Sequence, residues 1–173
     1  MTEMMQYFPL LYQLHSQQRY LIWISNEKDS IAVDAGGFVP SFRDLTSLRQ
    51  YANQNHFNLE TEEPVLHDLD WVATWLMEPV VLVDCKEALN AWNLFSDLAA
   101  SMPRLGVAFN RIDSQFQWIY NKLFFGNNLP SVTLEGHHYI PEWSPDEISS
   151  LAEVLTAGRD LFVSSVRSWP EER

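Results

Sequence analysis

The segment Arg19–Asp34, with the sequence RYLIWISNEKDSIAVD, decides the fold of the first third of the chain. Its first part, Arg19–Ser25, is rich in β-branched and aromatic residues, which favour strands. The polar residues Asn26–Asp29 then predict a four-residue turn, and Ser30–Asp34 predicts a short returning strand. Upstream, Leu10–His15 alternates loosely between apolar and polar residues. The sequence therefore predicts a small antiparallel β ribbon in the N-terminal part.

The rest of the chain carries mainly helical patterns, in which apolar residues recur three and four positions apart. Helix starts are predicted at Asp44, at about His67, at Asp84, at Ser114 and at Ser144. The last start is the clearest, because Ser144 can cap the helix, Pro145 suits its first turn and Glu147 completes a capping box. Helix ends are predicted before Pro79, near Ser101 and at Gly126.

These patterns together predict an α+β fold that is rich in helix. It comprises a small N-terminal antiparallel β ribbon packed with four or five helices. With 173 residues, of which 46% are hydrophobic and 20% are charged, the chain has the size and composition of one globular domain. The sequence shows neither an internal repeat nor a flexible linker, so a single domain is expected over residues 1–173.

A cytoplasmic location is expected from the cysteine content and from the N-terminal sequence. The single cysteine excludes an intramolecular disulfide, which suits a reducing compartment. The first nine residues carry one acid, no lysine or arginine, and an early proline, unlike a secretory signal. The longest apolar run, Val80–Val83, is far shorter than a membrane span.

The net charge of the chain is strongly negative, which bears on the partners it can bind. Asp and Glu number 23 against 11 Lys and Arg, which gives a formal charge of -12 at pH 7. Duplex DNA, RNA and anionic membranes are polyanions, so this charge argues against each of them as a partner. A basic protein is the complementary partner.

Much of this charge lies in residues 50–103, where nine acidic residues and one basic residue give -8 of the total -12. The densest patch in this stretch is the predicted partner-binding site and comprises Glu60, Glu62, Glu63, Asp68 and Asp70. Opposite charge on a partner speeds association with such a patch and helps to select the partner. The same residues also fit a solvated face that keeps the protein in solution.

Signatures of catalysis are sparse in the sequence. Cys85 lies at a predicted helix start, which can activate a thiol, but Asp84 and Glu87 beside it disfavour the thiolate. A buried structural cysteine is therefore the favoured interpretation. The sequence contains neither a phosphate-binding loop nor a G-x-S-x-G element. No catalytic residue, cofactor site or metal site is predicted.

One segment offers a rival interpretation as a metal enzyme. The predicted irregular segment 126–142 contains two adjacent histidines and two acidic residues, His137, His138, Glu135 and Glu142. Paired histidines with carboxylates can bind zinc, although this spacing matches no zinc motif. The alternative function is therefore a small metal-dependent hydrolase that uses these residues. A non-catalytic adaptor subunit is a third hypothesis.

Aromatic residues make up 13% of the chain, and most are expected in the core. Trp143 and Trp169 lie in predicted loop and tail positions, where they could be exposed anchors of an interface. This gives modest support to a role in protein binding.

Four strings of the sequence are familiar as a set. They are Tyr20–Ile24 (YLIWI), Ala88–Ala99 (ALNAWNLFSDLA), Ile119–Gly126 (IYNKLFFG) and Tyr139–Pro145 (YIPEWSP). On these strings the chain resembles small acidic immunity proteins of bacterial contact-dependent growth inhibition and related polymorphic toxin systems. The similarity runs from about residue 19 to residue 166 and consists of packing and capping patterns, without a catalytic signature.

The resemblance implies a cytoplasmic bacterial toxin inhibitor, an antitoxin that works by protein–protein interaction. It would bind the C-terminal toxin domain of a cognate effector, which in such systems is often a nuclease that acts on tRNA or DNA. A nuclease site is basic because it holds phosphates, so an acidic protein can cover the site and exclude the substrate. No cofactor is predicted, and on the net charge neither nucleic acid nor a membrane is expected as a partner.

Overall fold

The β ribbon near the N-terminus is longer than the sequence pattern predicts. The computed structural model describes residues 4–171, and its first two strands are β1, Gln6–Leu14, and β2, Gln17–Ser25. They pair antiparallel along their whole length. His15 and Ser16 join them, with φ angles of 53° and 60°. Positive φ at both central residues is typical of a two-residue hairpin turn whose twist matches that of the strands.

The predicted hairpin around Asn26–Asp29 is confirmed, although the returning strand β3 comprises only Ser30–Ile31. Two further short strands follow, β4, Val39–Ser41, and β5, Leu66–Asp68. β5 pairs parallel with β1 and completes a sheet of order β3–β2–β1–β5. β4 pairs parallel with β6, Val166–Ser168, in a separate two-stranded sheet. The sequence patterns predicted neither parallel pairing, because both join segments that are distant in sequence.

Six helices lie in the described range. They are α1, Leu45–Gln54; α2, Leu69–Met77; α3, Cys85–Ser101; α4, Val107–Gln115; α5, Gln117–Gly126; and α6, Pro145–Ser165. The fold is α+β and rich in helix, as predicted, with one helix more than the upper expectation. The extra helix is α4, which has no side-chain cap and buries only Phe109. Within residues 4–171, no helix combines the length and apolar character needed to cross a membrane.

Local capping explains the helix starts that the sequence predicts correctly. Asp44 Oδ1 accepts a hydrogen bond from Ser47 N at 2.8 Å. Ser144 Oγ accepts one from Glu147 N at 3.2 Å, and Glu147 Oε1 accepts one from Ser144 N at 3.1 Å, which completes the capping box. Asp84 caps α3 through its side chain as well. Each of these signals lies within four residues, so the sequence alone reveals it.

Two predicted helix starts lie a few residues before the observed ones. Ser114 lies inside α4, where its hydroxyl donates to a backbone carbonyl of the preceding turn at 2.8 Å. Helix α5 begins after Phe116, which provides no side-chain cap. His67 belongs to β5, and Asp68 caps α2 by accepting a hydrogen bond from Trp71 N at 3.0 Å. The helical periodicity extends across this boundary, so periodicity alone cannot locate it.

Helix α3 lies at the centre of the hydrophobic core. Its buried residues Trp92, Phe95 and Leu98 pack in one cluster with residues from α5, α6 and the β ribbon. A Cβ at Gly158 of α6 would lie 2.0 Å from Phe95 Cδ2. Glycine at this position therefore permits the close approach of α6 to α3.

A second, smaller core cluster lies around β2, β4 and α1 and includes Phe42 and Tyr51. Trp169 packs edge-on against both rings, with centroid distances of 5.7 Å to Phe42 and 5.2 Å to Tyr51. Trp143 is buried in the main cluster. The prediction that Trp143 and Trp169 are exposed anchors is therefore wrong, because each fills space between elements that are distant in sequence.

Candidate functional site

A cleft of about 570 Å³ opens between the β ribbon, the segment 62–67 and helix α3. Strand β1 lines it with Phe8 and Leu10, and Trp23 of β2 and Tyr120 of α5 add aromatic rings. The volume lies in the range of pockets that hold small ligands. We call this feature the acidic cleft, for the carboxylates described below.

The face of α3 that lines the acidic cleft is polar. Asn90, Asn93 and Asp97 recur at intervals of three and four residues, so they lie on one side of the helix. Trp92 and Phe95 are buried in the core instead. This segregation makes a central core helix one wall of a polar cleft.

Four carboxylates line the acidic cleft, and they come from three separate parts of the chain. They are Asp29 of the β2–β3 turn, Glu62 and Glu63 before β5, and Asp97 of α3, and we call them the cleft carboxylates. Glu62 and Glu63 are exposed, whereas Asp29 and Asp97 are partly buried. Among the described residues, no lysine or arginine lines the cleft. The side chains of the cleft thus concentrate negative charge at one place.

Asp97 is held in the cleft wall by Trp23, whose indole Nε1 donates a hydrogen bond to Asp97 Oδ2 at 3.2 Å. Burial, and then the negative charge of Asp29, raise the pKa of Asp97 from 3.8 to about 6, while the Trp23 hydrogen bond acts to lower the pKa. The folded protein therefore disfavours the ionised carboxylate. A cation bound beside Asp97 would offset that cost.

Neutral polar groups complete the α3 side of the acidic cleft. The Tyr120 hydroxyl donates to Asn93 Oδ1 at 2.8 Å. Burial raises the pKa of Tyr120, so the phenol is un-ionised at neutral pH. Asn90 Nδ2 is buried and has no hydrogen-bond partner in the part of the chain that the structure describes.

His67 lies at the β5 edge of the cleft. Its Nδ1 lies 3.2 Å from the carbonyl oxygen of Leu11 and 3.1 Å from that of Val65. Since a carbonyl oxygen can only accept, Nδ1 carries the hydrogen. Burial lowers the pKa of His67, although both hydrogen bonds oppose the shift, so the ring is neutral at pH 7. His67 therefore adds no positive charge to the cleft at that pH.

The structure brings Glu62 and Glu63, two of the five predicted partner-binding residues, into the acidic cleft. Glu60 lines an adjoining pocket of about 270 Å³ together with both of them. The Glu60 backbone N–H donates to the carbonyl oxygen of Tyr7 at 2.8 Å, which fixes this segment beside β1. Glu60, Glu62 and Glu63 thus form an acidic edge next to the cleft.

The other two predicted residues, Asp68 and Asp70, have partners within the fold. Asp68 caps α2, as described above. Asp70 accepts hydrogen bonds from His15 N at 2.7 Å and Ser16 N at 2.8 Å, and from Gln13 Nε2 at 3.2 Å. Desolvation acts to raise the pKa of Asp70, but these hydrogen bonds outweigh it and lower the pKa. Asp70 therefore holds the β1–β2 turn, and neither residue is among those that line the cleft.

The partner-binding patch predicted from the sequence includes neither Asp29 nor Asp97. The spacing of Asn90, Asn93 and Asp97 was a readable signal, because it places three polar residues in line on a helix with an apolar opposite face. The approach of Asp29 to Asp97 has no local signal, since it depends on how the β2–β3 turn packs beside α3.

Cys85 has the properties predicted for a structural cysteine. Its side chain is partly buried, and burial, followed by the charge of Asp84, raises the pKa of the thiol. A Cβ on Gly126 would lie 2.7 Å from Cys85 Sγ, so the thiol packs against the end of α5. A protonated, packed thiol is a poor nucleophile at neutral pH.

His137 and His138, the residues of the rival metal-enzyme interpretation, are exposed in the irregular segment between α5 and α6. Across residues 4–171, no three His, Cys, Asp or Glu side chains are grouped so that they could hold a metal ion. The structure therefore leaves the predicted set of histidines and acids unassembled.

The acidic cleft combines carboxylates, amide groups and aromatic rings, a set of groups that suits a cationic ligand. Comparisons of the chain with protein-family models, with curated proteins and with solved structures give no match. The geometry and charge of the acidic cleft are therefore the features that bear on function.

Proposed function

We propose that this chain is a non-catalytic immunity protein that binds a basic cognate toxin domain through the face around the acidic cleft. The observation that carries the proposal is the convergence of the four cleft carboxylates at a place that no lysine or arginine within residues 4–171 lines. A protein surface that concentrates uncompensated negative charge in a concave site favours a positively charged partner.

The acidic edge and the cleft would contribute differently to this binding. Glu62 and Glu63 are exposed, so they act mainly on the rate at which a basic partner approaches. Asp29 and Asp97 are partly buried, so contacts with them affect mainly the lifetime of the complex. A toxin nuclease covered in this way loses access to the phosphates of its substrate. In this proposal the protein acts in the bacterial cytoplasm and needs no cofactor.

The proposal is tested by co-expressing the chain with each toxin domain encoded beside its gene. We expect protection of growth and a purified complex with one of these domains. The double variant Asp29→Asn with Asp97→Asn is expected to shorten the lifetime of the complex at least tenfold. The double variant Glu62→Gln with Glu63→Gln is expected to slow association at low ionic strength.

The matched control is the double variant Glu153→Gln with Asp160→Asn, which removes two exposed charges of α6 that are not among the cleft-lining residues. It is expected to bind as the unmodified chain does. Failure of the unmodified chain to protect against every neighbouring toxin domain would contradict the proposal. Turnover of a small molecule or nucleic acid by the purified protein would favour the enzyme alternative.

A further inference from the structure

One region of the chain already holds a cation between a carboxylate and an aromatic ring. Lys122 Nζ lies 2.7 Å from Glu147 Oε2 and 4.9 Å from the centroid of the Trp143 ring. Lys122 also donates to the carbonyl oxygen of Glu142. We call this group the Lys122 site. It shows how a carboxylate, a ring and a backbone acceptor together hold one cation in this fold.

The acidic cleft also holds carboxylates beside an aromatic ring, and no basic side chain in the described part of the chain lines it. The carboxylate of Asp97 is hydrogen-bonded to the indole of Trp23, and Asp29 lies near enough to raise the pKa of Asp97. The Phe8 ring lies against Trp23, with centroids 5.3 Å apart. Two carboxylates beside an aromatic wall are therefore open to a group from outside the chain.

Resting on the proposed function, we propose that the acidic cleft receives one arginine side chain of the basic partner. Its guanidinium group lies against the Asp29 and Asp97 carboxylates and beside the ring of Trp23. A guanidinium suits this place better than an ammonium because it is planar, carries five N–H donors and is more weakly hydrated. It can therefore bond two carboxylates at once and still stack on a ring.

The size and polarity of the acidic cleft fit this occupant. A volume of about 570 Å³ accommodates a long side chain together with the adjoining backbone of a partner loop. Asn93 and His67 add polar groups at two sides of the cleft, so a partner loop has hydrogen-bonding groups beside the carboxylates. Val65, which is 61% exposed, also lines the cleft and offers an apolar surface for the methylene groups of arginine.

The test uses the unmodified chain and three N-acetylated tripeptide amides with glycine on either side of a central residue, which is arginine, lysine or citrulline. Binding is followed through the indole N–H resonance of Trp23, assigned by comparison with Trp23→Phe. We expect a saturable shift with the arginine peptide, weaker binding of the lysine peptide and none of the uncharged citrulline peptide. Asp97→Asn, which keeps an acceptor for Trp23, is expected to weaken arginine binding about tenfold.

Asp160→Asn on α6 is the matched control and is expected to leave arginine binding unchanged. The arginine assignment would be overturned if the Trp23 resonance did not respond to the arginine peptide. It would also be overturned if the lysine peptide or spermidine bound as tightly as the arginine peptide or more tightly. Equal losses of affinity for the arginine peptide in Asp97→Asn and Asp160→Asn would overturn it as well. The outcome is separable from that of the proposed function. If the toxin domain still binds while Asp97→Asn behaves like Asp160→Asn, the acidic-surface proposal stands and the arginine pocket is wrong.

Discussion

The Lys122 site and the acidic cleft place similar side chains in opposite electrostatic states. In the first, hydrogen bonds and charge from Lys122 help to lower the pKa of Glu147 against the opposing effect of desolvation. In the second, burial and Asp29 raise the pKa of Asp97 to about 6. Glu147 has the Lys122 ammonium group and the Ser144 hydrogen bonds as partners, whereas Asp97 accepts a hydrogen bond from Trp23 but lies near the negative charge of Asp29. The fold completes one arrangement internally and leaves the other open to an external group.

A third polar region, around Ser41, pairs its buried polar groups within the fold. Ser41 is buried, and its Oγ lies 2.6 Å from the Tyr12 hydroxyl and accepts a hydrogen bond from Arg19 Nε at 2.8 Å. Arg19 also donates to Ser168 Oγ at 3.2 Å, which links β2 to β6. Buried polar groups are costly when left unpaired. The Ser41 group is thus paired within the fold, whereas no lysine or arginine of the described residues lines the acidic cleft.

Removing the ammonium group of Lys122 has the largest expected effect on stability and tests the comparison of the Lys122 site with the acidic cleft. Lys122→Met is expected to lower the free energy of unfolding at pH 7 by about 2 kcal/mol, because Glu147 is left mostly buried without its charge partner. Urea unfolding followed by tryptophan fluorescence measures the change. Lys86→Met is the control, since Lys86 is exposed at the start of α3, and about 0.5 kcal/mol or less is expected for it. Equal effects of Lys122→Met and Lys86→Met on the free energy of unfolding would contradict the proposed difference between the Lys122 site and the acidic cleft.

Removing the charge of Asp97 is expected to act in the opposite direction. Asp97→Asn should raise the free energy of unfolding at pH 8 by about 1 kcal/mol. This value is smaller than the free energy that corresponds to the whole pKa shift, because solvent reaches part of the carboxyl group. The asparagine keeps an acceptor for the Trp23 indole. The exposed Asp160→Asn on α6 should change stability little. A clear loss of stability in Asp97→Asn would show that the carboxylate is satisfied within the fold.

Relative to the unmodified chain, the free energies of unfolding of Asp97→Asn and Lys122→Met should depend on pH in opposite directions. The raised pKa of Asp97 means that its favourable contribution is complete below 3.8 and is lost as the pH rises towards about 6. The advantage of Asp97→Asn over the unmodified chain should therefore grow across that interval. The lowered pKa of Glu147 has the reverse sign, so the deficit of Lys122→Met should shrink as the pH falls below 4.5. Urea unfolding measured at about pH 2.5, 3.5, 4.5, 5.5 and 7 covers both intervals.

Supplying a cation to the acidic cleft has the smallest expected effect on stability. Val65 lines the cleft and is 61% exposed, so Val65→Lys places an ammonium group within reach of the cleft carboxylates. The pKa of Asp97, measured by carboxyl NMR, should fall, while the free energy of unfolding changes by about 0.5 kcal/mol or less. Val163→Lys is the control, at a site on α6 that is 56% exposed and is not among the cleft-lining residues. An unchanged Asp97 pKa would show that the cleft does not respond to an added cation.

The parts of the fold that the sequence predicts are those with short-range causes. The caps at Asp44 and Ser144 and the turn at Asn26–Asp29 each need only a few neighbouring residues. Helix α4 lacks such a cap, and the pairing of β4 with β6 joins residues that are far apart in sequence. No local pattern encodes a pairing of that kind, so it could be found only in the folded chain.

The residues of the candidate site also fall into those that the sequence reveals and those whose role depends on the folded chain. The acidic run that contains Glu62 and Glu63 is visible in the sequence, and both residues lie in the cleft. Asp70 belongs to the same run, yet its carboxylate holds the His15–Ser16 turn. Charge density along a sequence does not distinguish a carboxylate that is free to bind from one that the backbone already uses. That distinction depends on which N–H groups the fold brings near each acid.

The parallel pairing of β4 with β6 has a consequence for synthesis of the protein. On the ribosome, residues 39–41 are made long before residues 166–168, so the second sheet forms only after the latter have left the exit tunnel. Until then the edge of β4 that pairs with β6 has no partner strand. Trp169 is also not yet available to cover Phe42 and Tyr51. A nascent chain interrupted before Val166 would keep that edge open, which makes it a substrate for chaperones and quality-control proteases.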